Sequence, residues 1–227
     1  MSLHPLSQFI DQAVAIFESL GFEVAEGPEI EDEWHNFDAL RMFSNHPARD
    51  VQDTFWVKSG VPLRTQGTSA DIRVMEKRKP PARFIIPGKV FRHEATDRMH
   101  EAQFYQLDGF AIDKNITFAD LTGTLEFFMK RMYGKHVEIR FVPSYFPFVE
   151  PGLELHMRLK GQQKWLEMLG AGMIHPEVLE NMNVDPKKWQ GFAFGMGIDR
   201  LMMLSQGIDD IRLSYENDFR FLKQFKL

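Results

Sequence analysis

"RFIIPGKVFRHEATDRMHEAQFYQLDGFAID", residues 83–113, is the stretch on which the fold turns. Two β-rich runs, 83–94 and 102–113, flank the polar "ATDRMHE" and read as a hairpin with a long tip. Side chains two apart on a strand share a face, so Arg92 and Glu94 point one way while Phe91 and His93 point the other. On the return strand Phe104, Gln106 and Asp108 share a face as well. If the two faces coincide, one sheet surface carries an arginine, two carboxylates, an amide and an aromatic ring. That is too polar for a core and suits a ligand floor. The competing reading is a solvated face with an Arg/Glu pair, because antiparallel sheets often wet one side.

Outward from the hairpin, "TFADLTGTLEFFMKRMYG" (117–134) is the strongest helix, with Phe118, Leu121, Leu125 and Met129 spaced at three and four and Gly134 as the stop. "PLSQFIDQAVAIFESL" (5–20) predicts an amphipathic opening helix with Phe9, Val14, Phe17 and Leu20 near one stripe, Ser7 as cap and Gly21 as stop. "GFEVAEGPEI" (21–30) alternates like a strand that ends in the rigid turn Gly27-Pro28. Residues 31–60 lack sustained periodicity and predict an irregular surface segment. Further strands are expected in 137–151, 164–174 and 191–197, with a buried helix over 198–207. Hairpin-wise strands with irregularly placed helices predict an α+β domain, a largely antiparallel sheet covered by helices. A single domain over 4–227 is expected, with Met1, Ser2 and Leu3 read as an expression remnant ahead of it.

The 227 residues, 44% hydrophobic and 26% charged, are ordinary globular composition. The net charge of −5, from 27 Lys+Arg against 32 Asp+Glu, means that any polyanion must be met by local arginines, since there is no basic tract. The absence of cysteine excludes disulfides, thiolate metal sites and thiol catalysis, and leaves histidine and carboxylates as metal ligands. No leader pattern occurs, and no run approaches the roughly 18 apolar residues of a membrane span, so a cytoplasmic chain without a membrane partner is expected.

"FAFGMGIDRLMML" (192–204) sets two glycines and a buried-looking arginine where a strand meets a helix. Gly195 and Gly197 let the backbone approach a ligand, the helix from Ile198 offers its positive end to an anion, and Arg200 in that first turn can hold phosphate oxygens with a fork of donors. A glycine-rich packing corner would look the same. The spacing is neither that of a P-loop nor that of a dinucleotide fingerprint. "SYFPFVEP" puts Phe146, Phe148 and Glu150 on one strand face, as core or as ligand wall. Glu167 runs into Gly170-Ala171-Gly172 and reads as an edge-strand carboxylate.

These residues carry a family resemblance. "FRHE" with the following "RMHEAQFYQLDG" resembles motif 2 of the class II aminoacyl-tRNA synthetases, "GFAFGMGIDR" resembles their motif 3, and "GFEVAEGPEI" with Pro28 their motif 1, in family order. "GPEIEDEWHNFDAL", "HPARDVQDTFW", "FVPSYFPFVEP", "LGAGMIHPEVL", "GIDDIR" and "ENDFRFLKQF" are similar to the catalytic part of the bacterial phenylalanyl-tRNA synthetase alpha subunits, from about His4 to Lys226. The resemblance implies a class II synthetase-like antiparallel sheet flanked by helices, which activates phenylalanine with ATP and esterifies the terminal adenosine of tRNA at its 2′-hydroxyl. It implies that Arg92 holds the α-phosphate, Glu94 the adenine amino group, Phe104 the adenine ring and Arg200 the γ-phosphate, with His100 assisting at the phosphates. Arg92 and Arg200 are thereby the expected catalytic pair. Glu150 matches the family's ligand for Mg2+.

For the amino acid, the resemblance implies that Gln106 and Asp108 take the ammonium, that Phe146 and Phe148 pack edge to face on the substrate ring, and that Ala193, beside Gly195, limits ring size. Thr68 and Ser69 both compete for the family's serine, Asp71 stands where an amide is expected, and Asp108 and Asp199 each replace a glutamate. The family's alpha subunit carries an amino-terminal coiled-coil arm for tRNA that is not in this sequence, and no anticodon-binding domain of the single-chain organellar form follows. The expected partners are phenylalanine, tRNA and a beta subunit, in a heterotetramer of two alpha and two beta chains. The alternatives are a stand-alone ligase that loads a non-tRNA acceptor and a non-catalytic binding module.

Overall fold

The computed structural model describes residues 4–44, 46–49, 54–161 and 163–225. The three leading residues, and 50–53 of "HPARDVQDTFW", lie outside the described residues. The strands are β1 (Glu23–Val24), β2 (Trp56–Lys58), β3 (Val61–Pro62), β4 (Ala82–Phe91), β5 (Gln103–Asp113), β6 (Val137–Phe146), β7 (Val149–Leu159), β8 (Leu166–Ile174) and β9 (Gln190–Gly197). The helices are α1 (Pro5–Glu18), α2 (Glu33–Asn36), α3 (Ser69–Lys77), α4 (Phe118–Tyr133), α5 (Pro176–Asn181), α6 (Ile198–Gln206) and α7 (Phe219–Leu222). Seven strands form one sheet in the order β1-β4-β5-β9-β8-β7-β6, antiparallel except for β1 on β4. The α+β expectation holds. The strand read over 21–30 shrinks to two residues.

One face of this sheet is a core. Leu107, Leu155, Phe194 and Met196 meet α1, α4 and α6 there, and Phe17 of α1 stacks on Phe128 at 4.7 Å and on Phe194 at 5.1 Å. The helices hold their ends by local chemistry. Thr117 and Asp120 close a capping box on α4, and Gly134 ends it at φ +85°. Phe118, read into the buried stripe, is exposed, and Phe128 takes its place in the core. α1 is capped by His4, whose Nδ1 accepts from Leu6 N, with Pro5 at the first helical position; Ser7 is not the cap.

Register rows define the other face. Ile86, Asp108, Gly195, Gly170, Glu154 and Val142 are successive partners across β4, β5, β9, β8, β7 and β6. A second row runs Phe84, Phe110, Ala193, Gly172, Gly152 and Ser144. Where this face is apolar, at Phe84, Ile86 and Phe110, it is covered by Phe37, Leu40 and Ile72, all nearly inaccessible. Residues 31–60 are therefore more than a surface loop. Phe37 and Leu40 anchor an irregular backbone to the sheet, and short one-turn elements leave no period to read. The face stays open from Gln106 through Gly170 onward.

Candidate active site

β4 and β5 pair so that Gly88 faces Gln106 and Val90 faces Phe104, and the ladder continues one step beyond β4, Arg92 N donating to Ala102 O at 3.0 Å. Arg92 thus joins the face of Phe104, Gln106 and Asp108, as parity requires, and its guanidinium carbon lies 5.2 Å from the centroid of the Phe104 ring. These side chains border a cleft rather than an open solvated face. At the hairpin tip Asp97 accepts from the backbone N–H of Met99 at 2.6 Å and of His100 at 2.9 Å, which fixes the turn that carries His100. Those bonds hold the Asp97 carboxyl below the usual range.

The inner end of the cleft is built around Asp108. Oδ1 accepts from Thr68 Oγ1 at 2.8 Å, while Oδ2 is buried without a hydrogen-bond partner, as is Oε1 of Gln106. Glycines enclose this carboxylate: a Cβ on Gly67 would stand 2.5 Å from Oδ2, and one on Gly195 would stand 2.9 Å from Oδ1. Burial pushes the Asp108 carboxyl up to about 6, against the pull of the Thr68 hydroxyl and the positive charges of Arg64 and Arg92. Asp71 is buried behind it with Oδ1 unpartnered, and burial and the Asp108 charge push it well above the usual range. The two candidates at 68–69 differ in position. Thr68 lines the cleft, whereas Ser69 is fully buried and donates to Gln66 O at 3.3 Å.

Phe146 and Phe148 form an apolar wall, with ring centroids 6.0 Å apart and planes 25° from parallel. They do not share a strand face as the spacing predicts. β6 ends at Phe146, and Pro147 and Phe148 make the turn into β7, so Phe148 reaches the cleft from the turn. Phe146 lies over Gly170, where a Cβ would come within 2.7 Å of its Cζ. Ala193, the register partner of Phe110, completes this end.

α6 starts at Ile198 directly from β9, with Gly197 as its cap residue. Arg200 in its first turn is exposed on the cleft wall, contrary to its buried look in sequence, because the open face of the sheet lies in front of it. The buried group of that turn is its neighbour. Asp199 accepts from Tyr105 N and Tyr215 Oη, each at 2.6 Å, and so ties α6 to β5; burial raises its carboxyl while both bonds oppose this.

Arg92, Glu94, His100, Phe104, Arg200, Thr68, Gln106, Asp108, Phe146, Phe148, Ala193 and Gly195 all border one cleft of about 530 Å³. Ser69 and Glu150 do not. A register shift between Val149 and Gly152 breaks the alternation of β7, and the Glu150 side chain is 77% exposed, 3.6 Å from His175 Nε2. Glu167, read from sequence as an edge-strand carboxylate, lines the cleft together with Glu101 and Gln66. The signal for Glu167 was hidden by a second register shift, between Leu155 and His156 opposite β8, which alters the parity of that strand. Among the described residues no helix is long and apolar enough to cross a membrane.

The model of the tRNA synthetases class II core domain matches residues 1–225. The phenylalanine–tRNA ligase alpha subunit of Clostridium perfringens is 51% identical over 233 residues, covering 98% of this chain and 68% of that protein. That of Klebsiella pneumoniae is 50% identical over 224 residues, covering 99% and 68%. Among solved structures, the pyrrolysyl-tRNA synthetase of Desulfitobacterium hafniense is similar in fold, with a TM-score of 0.74 at 17% identity over 98% of this chain and 76% of that one.

Proposed function

This chain belongs to the phenylalanine–tRNA ligase alpha-subunit family of class II tRNA synthetase core domains, and we propose that its cleft joins phenylalanine to ATP and passes the aminoacyl group to tRNA. One observation carries the residue assignment. A single cleft has two phosphate-type arginines at one end, and unpartnered buried acceptors beside an aromatic wall at the other. Buried acceptors without donors are costly in the empty protein, and an ammonium supplies the missing donors. Phe146 and Phe148 then flank the ring, and Ala193 limits its length. At the other end Phe104 offers a face to adenine, with Arg92 and Arg200 directed at the phosphates.

The substrate carboxylate oxygen bonds to the α-phosphorus, and the bond from that phosphorus to the pyrophosphate oxygen breaks. Charge grows on the α-phosphoryl oxygens and on the departing group. Arg92, held over the Phe104 ring and against Thr65 O, and Arg200, exposed on the same wall, stabilise it without a covalent enzyme intermediate. The acceptor hydroxyl of tRNA then attacks the carbonyl carbon and AMP leaves. Glu101 and Glu167 line the same cleft as the arginines, and carboxylate oxygens are the hard donors that Mg2+ takes; these two would hold the ion, which would supply neutralisation of phosphate charge. Glu150, the residue that motif position offers for this role, stands outside the cleft wall.

A beta subunit as partner, in a heterotetramer, goes with the alpha-subunit relatives, and the cytoplasm is the setting where tRNA is charged. No feature of the structure or of its relatives favours a non-tRNA acceptor or a binding-only module. The test is ATP–pyrophosphate exchange with each of the twenty amino acids, with and without a beta subunit. Phenylalanine should drive exchange best. A polar amino acid that does better would transfer the cleft to another substrate.

A further inference from the structure

The catalytic face of the sheet continues past the cleft. From Gly170 the register row passes to Glu154 and Val142, and along the same face of β7 and β6 stand His156, Arg158 and Arg140. Here the guanidinium carbons of Arg140 and Arg158 each lie 4.5 Å from the ring centroid of Trp165. Glu138 accepts from Arg158 Nε at 2.6 Å, whereas Arg140 bonds only weakly, at 3.4 Å, to His156 Nδ1. Two turns close this end of the sheet, joined by Lys160 N donating to His136 O at 3.1 Å, and they add the exposed side chains of Lys135, Lys160 and Lys164. Five cations therefore stand at a corner whose carboxylates are Glu138, held by Arg158, and Glu154, held by His156 at 3.0 Å, with Glu167 opposite His156 on the side toward the cleft, in a protein whose net charge is −5. No run in the sequence shows this patch, because its members come from two strands and two turns.

We propose that this corner is the track for the phosphates of the single-stranded 3′ end of the acceptor tRNA on its way to the cleft. The inference rests on the proposed function, whose acceptor is the occupant. The acceptor must bring its end to the cleft while its phosphates cross protein surface. The β4 and β5 end of this face is already closed by Phe37, Leu40 and Ile72, whereas the β6 and β7 end continues from the cleft, past Glu167 and the His156–Glu154 pair, to the cationic corner of Arg140, Arg158 and the three lysines. Arginines held on an indole are stiffened, so less side-chain freedom is lost when a phosphate binds. Cations interleaved with an aromatic ring are the surface that single-stranded RNA follows.

The test uses Arg140→Ala, Arg140→Glu and Arg140→Lys. Each variant is assayed for phenylalanine-dependent pyrophosphate exchange, and for binding of a fluorescein-labelled single-stranded RNA with the tRNA 3′-end sequence, by anisotropy at several salt concentrations. Exchange should stay within about twofold of the parent, since the corner is remote from the reacting atoms. RNA affinity should fall several-fold in the alanine variant and further in the glutamate variant, and the salt dependence should lose about 0.7 in log–log slope per phosphate contact removed. Arg140→Lys should keep the slope. Unchanged affinity and slope in both Arg140→Ala and Arg140→Glu, with exchange intact, would overturn the track. So would an effect confined to binding of the beta subunit, which would make the corner a protein interface. Failure of the parent chain to exchange with phenylalanine would strike the proposed function instead.

Discussion

Asp108 governs the charge of the cleft's inner end. Its carboxyl is raised to about 6 by burial, so the folded protein holds the proton more tightly than the unfolded chain does. The associated stability is therefore present below the unfolded value of about 3.9 and is lost as pH rises through about 6, of the order of 3 kcal/mol in all. Urea unfolding of the ligand-free protein between about pH 4 and pH 7 should show this loss, and Asp108→Asn should reduce it, leaving the part that buried Asp71, raised in the same direction, contributes. An ammonium ligand favours the ionised form, so KM for phenylalanine should fall as pH rises through the same range; a flat KM profile would separate Asp108 from the ammonium. At the phosphate end, Arg92→Ala and Arg200→Ala should each lower exchange at least about a hundredfold, as removal of a preorganised donor does. Arg200→Lys should recover little, because a point charge does not replace a planar fork. Near-normal exchange in both alanine variants would remove the nucleotide assignment.

At the scale of elements, the strands position the chemistry and the helices hold the strands. β8 can pass beneath Phe146 only because residue 170 has no side chain. Gly170→Ala should push the ring into the cleft and raise KM for the amino acid by roughly tenfold, about 1.4 kcal/mol, with KM for ATP unchanged; equal effects on both substrates would point to general damage. α4 offers the contrast. It packs on the opposite face of the sheet, so loss of its capping box in Thr117→Ala should cost about 1 kcal/mol of stability in urea unfolding and leave exchange unaltered. The helix over 117–134 was legible because its apolar spacing and both ends follow local rules. The parity of β7 and β8 was not, since register shifts are set by the partner strand and leave no mark in either run. Glu150 and Glu167 therefore came out reversed with respect to the cleft wall.

For the whole molecule, a net charge of −5 with only local basic patches leaves little surface for a polyanion, so the proposed ligase is expected to need a partner for tRNA. The isolated chain should bind tRNA weakly and charge it slowly, and assembly with a beta subunit should raise charging by at least about a hundredfold through the added contacts. Full-rate charging by a strictly monomeric chain would contradict this assembly.

By itself the sequence determined the α+β class, the hairpin of β4 and β5, and the shared face of Arg92, Phe104, Gln106 and Asp108, because side-chain alternation along a strand is a local property of the backbone. It also placed Arg200 at the start of α6. Tertiary structure alone put Thr68 on the cleft wall and Ser69 beneath it, exposed Arg200, buried Asp199, brought Phe148 to the cleft from a turn, and gathered Arg140, Arg158 and Trp165 into one corner. Each of those outcomes depends on which strand lies alongside which and in what register, and pairing between distant segments is fixed by burial of the sheet as a unit.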